Sequence, residues 1–177
     1  MNFSFFNMVE KEELEKSIAT LSVLYSTAAW KIKAETEDEV LRVGLDRIAE
    51  LVLPDIGAIL TLADGILKPS ITFGLPKRVA KISSVEIGLG LAGEVFLTGR
   101  PIAINDLERD QSFIDSFVKL WRPKTALCYP LRVDEKMFGV IYLARLTDVP
   151  FTKEEEWFVT LVSEKIDLAI SMIQKQR

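Results

Sequence analysis

The sequence predicts an α+β domain: an antiparallel sheet with terminal helices packed on one face and an irregular helical and loop cap on the other. Three observations carry this. Helix-spaced apolar residues open and close the chain, and turn-punctuated, strand-like segments lie between them. Both strands of the last hairpin are apolar at nearly every position. An antiparallel pair with one wet face would alternate, so this sheet must be covered on both sides.

In chain order, Leu14, Ile18, Leu21, Tyr25, Ala28 and Ile32 recur at steps of four and three, the spacing of a coiled-coil seam. Thr36 followed by Glu39 is a capping box opening a second helix, whose apolar face is Leu41, Leu45, Ile48 and Val52 and which Pro54 stops. Strand character then takes over at 56–62 and 66–72, joined by Asp64-Gly65, and Pro69 marks an edge or a bulge. A short strand is expected at 85–87, a short helix at 91–98 ended by Gly99-Arg100-Pro101, and a strand at 102–104. Residues 110–121 read as an interrupted covering segment. Strands at 126–133 and 137–145 form the clearest hairpin. Thr152 with Glu155 repeats the capping box before a long helix marked by Phe158, Val162, Ile166, Ala169 and Ile173.

Composition narrows the chemistry. With 177 residues, 49% hydrophobic and 27% charged, the chain supports one ordinary core. A net charge of -4 without a basic run offers phosphates no surface, so no direct nucleic-acid partner is expected. The apolar stretches are strand-sized and broken by charges, which predicts no membrane association and a cytoplasmic location. Histidine is absent and cysteine occurs once, at Cys128. This excludes an intramolecular disulfide, a Cys/His zinc site, a His-ligated haem and a phospho-accepting histidine.

Gly90-Leu91-Ala92-Gly93-Glu94-Val95, Thr98-Gly99-Arg100-Pro101, Ile104-Asn105-Asp106, and Pro130-Leu131 with Phe138-Gly139-Val140-Ile141 occur in an order that resembles GAF domains. The resemblance runs from about Thr36 to the C-terminus and divides the chain into a signalling and dimerisation helix at 1–35 and a GAF domain at 36–177. It implies a non-catalytic sensory module that binds a small molecule and relays the signal through its terminal helices in a homodimer. The alternative is a purely structural dimerisation domain without ligand. Such domains serve histidine kinases and two-component systems, cyclic-nucleotide phosphodiesterases and NifA-like transcription activators, so an output domain is expected elsewhere. By the same resemblance the ligand lining is Ala58, Phe73, Gly74, Leu91, Ala92, Ile114, Thr125 and Tyr142, roofed by Leu91-Ala92 and by the segment around Phe113 and Ile114. This set has two hydroxyls and no carboxylate. It suits a partly apolar ligand, or an anion held by backbone amides near Gly90. No cofactor, metal site or catalytic residue is expected.

Sharper readings fail on specific residues. Bilin attachment and the GAF-type methionine sulfoxide reductases need a neighbouring histidine or several cysteines, so mid-strand Cys128 reads as core. In cyclic-nucleotide-binding relatives an Asn-Lys pair stands where this chain has Arg145-Leu146, which removes the lysine's ion pair and leaves Glu155 as the partner of Thr152 in the helix cap. Asn105, Asp106 and Asp110 follow a strand end and read as turn formers, not as cation ligands.

Overall fold

The computed structural model describes residues 3–76, 78 and 83–176, with side chains from residue 11 onward. The chain forms two compact units, residues 1–31 and 32–177.

The first unit is helix α1 (Phe3–Ala29). Leu14, Ile18, Leu21 and Tyr25 stand 57–78% exposed along it, so the seam is apolar and uncovered. The helix ends short of Ile32, which the seam reading had included. Trp30 N–H closes the last turn onto the carbonyls of Ser26 and Thr27. Ahead of the next helix Thr36 is extended at φ −125°, and the Glu39 carboxylate accepts from the N–H groups of Glu35 and Thr36. That cap holds the connecting backbone out of helical geometry.

In the second unit, α2 (Glu37–Val52) begins at this capping box and ends on Leu53 in left-handed conformation. β1 (Ile56–Ala63) and β2 (Ile66–Phe73) form a hairpin in which Asp64 and Gly65 both have positive φ, the geometry that matches strand twist. Pro69 lies on an edge strand and opposite a register shift at Ile59/Leu60, so both expectations for it hold. The expected strand at 85–87 shrinks to one bridge, Val85 to Leu67. Helix α3 (Gly90–Thr98) is stopped by Gly99 at φ 63°, and β3 (Ile102–Ile104) follows. Residues 111–121 hold two 3-10 turns, Gln111–Phe113 and Lys119–Trp121. β4 (Thr125–Val133) and β5 (Lys136–Arg145) turn on Asp134 and Glu135, both at positive φ, and α4 (Lys153–Lys175) starts at the second capping box.

The sheet is antiparallel throughout, in the order β2-β1-β5-β4-β3. Successive side chains of a strand point to opposite faces, and the register fixes which. Ile56, Ala58, Leu60, Ala126, Cys128, Val140, Tyr142 and Ala144 share the face under α3 and the 111–121 segment. The residues between them face α2 and α4, whose buried stripes are Val40, Leu41, Leu45, Ile48 and Val52 and Phe158, Val159, Val162, Ile166 and Ile170. The two helices approach closely at Gly44, where an added Cβ would fall 2.5 Å from Ile166 Cδ1. Both faces are covered, as the apolar hairpin requires.

Candidate functional site

The floor of the capped face is built from Ala58 on β1, Tyr142 on β5 and Cys128 on β4, with Tyr142 directly opposite both others in register. Leu91 and Ala92 on α3 form the roof, fully buried, and Ile114 packs at its margin half-buried. The structure therefore brings together Ala58, Leu91, Ala92, Ile114 and Tyr142.

It does not bring the other three. Phe73 pairs with Gly57, and its ring lies where a Gly57 Cβ would stand, which is the face opposite Ala58. Thr125 pairs with Arg145, one step out of phase with Ala126 and Ala144, and so also faces the helices. Its hydroxyl donates to Val149 O at 3.0 Å. Gly74 is exposed in the bend after β2, with its backbone against the Asp55 carbonyl. The 111–121 segment covers this face as well: Phe113 and Ile114 pack against the buried cluster, and Phe117 and Val118 are buried within it. The Phe117 ring meets Tyr142 edge-on at 5.1 Å and 69°. The Tyr142 hydroxyl is buried without a hydrogen-bond partner among the described residues.

The lining holds a carboxylate that the sequence reading missed. Asp115, 2% exposed, accepts from the Ala92 N–H at 3.1 Å and from the Leu91 N–H. The first N–H groups of a helix lack intrahelical partners and carry the positive end of its dipole, so this terminus attracts anions. Here the chain's own side chain takes the place. Gly90, at φ +65°, makes room, since a Cβ there would fall on Asp115 Oδ1. Burial nonetheless pushes the Asp115 carboxyl up to about 7, the two amides only partly opposing it. Burial, then the Asp115 charge, also holds the Cys128 thiol and the Tyr142 phenol well above their ordinary ranges, so both stay protonated. A cavity of about 260 Å³ opens here, lined by Ser84, Glu86, Gly90, Ser112, Asp115 and Ser116 among others.

On the opposite face Arg145 ties strand to helices. Its guanidinium donates to Pro150 O at 2.9 Å, to Val52 O at 2.8 Å and to Glu155 Oε1 at 2.6 Å, and lies 4.3 Å over the Phe151 ring. The ion pair thought lost with the lysine is thus made by arginine. Glu155 does more than cap: Oε2 accepts from Thr152 N–H while Oε1 takes Arg145. Asp106 Oδ1 accepts from the Arg109 N–H, the turn chemistry expected of it.

A five-stranded antiparallel sheet with a helix pair on one face and a short-helix cap on the other, with a recess at the cap, defines a two-sided α+β domain. The GAF domain profile matches residues 36–170, and the chain belongs to the GAF domain family, a family of sensory and regulatory domains of signalling proteins. Comparison with curated proteins finds no match. Among solved structures it resembles the GAF domain of a phosphoenolpyruvate-protein phosphotransferase from Coxiella burnetii (21% identity, 89% of this chain and 97% of that one, TM-score 0.73). It also resembles NreA from Staphylococcus aureus mutated in its nitrate binding site (22%, 66% and 91%, TM-score 0.58). A third similar structure is a free methionine-R-sulfoxide reductase from Thermoplasma acidophilum (17%, 78% and 93%, TM-score 0.63). At these identities the likeness is one of fold. No helix among the described residues is long and apolar enough to cross a membrane.

Proposed function

We propose that this GAF domain is a non-catalytic sensor that binds a small molecule at the capped face and relays its presence through α1 and α4 of a homodimer. The observation that carries the reading is the recess of about 260 Å³ at the α3 N-terminus, lined by Gly90 and Asp115, together with the Tyr142 hydroxyl, buried under the same cap and, among the described residues, unpartnered. A buried hydroxyl without a partner costs about 1–3 kcal/mol, which a hydrogen-bonding ligand recovers. The roof above it is borne by residues 111–121, which have only two short 3-10 turns of their own. The nitrate binding site named for NreA lies on the same fold and fits a small, polar ligand here.

A physical route to the helices exists in β5. Tyr142 faces the cap, and Arg145, three residues on, holds the C-terminus of α2 and the N-terminus of α4. The uncovered seam of α1 and the exposed Trp157, Leu168 and Met172 on α4 supply apolar surface for a second copy. A single cysteine, buried and held as the thiol, supports the absence of sulfoxide reductase chemistry.

A thermal-shift screen of metabolites on the intact chain tests the proposal. A saturable rise in melting temperature is expected, and Ala92→Trp should abolish it by filling the roof. A screen without a hit leaves the purely dimerising alternative; turnover of free methionine sulfoxide would overturn the non-catalytic reading.

A further inference from the structure

The anion site at the α3 N-terminus is already filled, and what fills it is poorly matched to its place. Asp115 meets two backbone amides and, among the described residues, no cation within ion-pair distance. Its side chain comes from the stretch between the two 3-10 turns, flanked by the half-buried Ile114 and the exposed Ser116. It borders the cavity, so an arriving ligand reaches the carboxylate first. The unpartnered Tyr142 hydroxyl lies within reach of the Asp115 charge.

We propose that Asp115 is a resting self-ligand, and that a small oxyanion or carboxylate displaces it from the Leu91 and Ala92 amides and moves the 111–121 segment with it. The inference rests on the sensor reading above and names the ligand class of that site. An external anion would take the two amide hydrogen bonds that Asp115 now accepts. The displaced carboxylate would leave a desolvated position for water, which removes the penalty that burial imposes on its charge. The ligand signal would then be the relocation of Asp115, with Phe117 two residues away as the ring that must repack over Tyr142.

Competition of this kind has a proton signature. Lowering pH from 8 to 6 protonates Asp115 and weakens its hold on the amides, so an anion that stays ionised should bind more tightly. Cys128 from β4 and Tyr142 from β5 face the same point but stay protonated across that range, and Glu86 lines the cavity mouth.

Nitrate and acetate serve as probes of the intact chain, by calorimetry and thermal shift at pH 6 and 8. Nitrate keeps its charge throughout, and acetate reproduces the Asp115 side chain beyond Cα. Asp115→Ala should bind both about tenfold more tightly than wild type at pH 8, since the competing occupant is gone. The pH dependence seen for nitrate in wild type and in Glu86→Gln should vanish in Asp115→Ala. Asp115→Asn, which keeps the shape, guards against a folding failure and should lose the pH dependence too. Equal, pH-independent binding to wild type and both variants would overturn the inference. So would a folded Asp115→Ala that binds neither probe. In that last case a neutral metabolite that still raises the wild-type melting temperature would leave the sensor reading standing, and its absence would remove both.

Discussion

Arg145 and Glu155 are bound at 2.6 Å on the helix side of the sheet, and the same guanidinium reaches the last carbonyl of α2 at Val52. One side chain thereby fixes the end of β5 to both covering helices. With side-chain exposures of 10% and 19%, the pair is largely withdrawn from solvent, where breaking a pair costs far more than at the surface. Arg145→Met should destabilise by about 3 kcal/mol in urea unfolding. Arg145→Lys should recover little, because one ammonium cannot span three acceptors. A loss below about 1 kcal/mol would mean that water replaces the pair without difficulty.

Asp115 makes the stability of the domain depend on pH in an unusual direction. Its folded carboxyl titrates near 7 and the unfolded one in the ordinary carboxylate range, so between them the native state holds more protons. The contribution of this residue to stability is therefore greatest in acid and declines as pH rises toward 7. The advantage of Asp115→Asn over wild type should grow from pH 5 to pH 8. A constant difference across that range would show that the carboxyl titrates normally.

Close approach of α2 and α4 at Gly44 leaves no room for a side chain. Gly44→Val should cost about 2 kcal/mol by overpacking against Ile166, while Asp46→Val on the exposed face of the same helix should cost well under 1 kcal/mol. Equal effects would show that the helices separate freely.

For the dimer, light scattering is decisive. The intact chain should be a dimer at tens of micromolar, a range typical of modest interfaces. Leu21→Asp or removal of residues 1–35 should weaken it. An intact chain that is monomeric at that concentration would remove the seam from the relay. Cysteines placed singly at Leu21 and Ile173, in a Cys128→Ala background, should crosslink differently with and without bound ligand.

What the sequence disclosed and what it withheld divide along physical lines. Thr36 with Glu39, Thr152 with Glu155, Asp64-Gly65 and Gly99 all act through neighbours within four residues, and each does in the structure what its local chemistry requires. Face assignment needs register. In the β4–β5 hairpin, apolar on both sides, alternation is silent and Thr125 falls on the helix face, while Phe73, at the end of β2, is placed there by its pairing with Gly57. Counting offered a correction for the first: Thr125 pairs with Arg145, which is an odd step from Tyr142. Asp115 had a weaker signal, a lone acid between Ile114 and Phe117 in a segment expected to cover the core. Nothing local tied it to Ala92, 23 residues earlier.

The strand order has a consequence for how the domain assembles. β1 pairs with β2 and β3 with β4, but only β5 joins these two ribbons, with Ile59 opposite Ile141. β5 is also the last of these five strands to leave the ribosome. Until it arrives, each half-sheet exposes an edge, and closing it requires a loop of some eighty residues, counted from Ile59 to Ile141. Folding should therefore be slow and limited by this closure, and chains ending before residue 136 should expose their edges and aggregate.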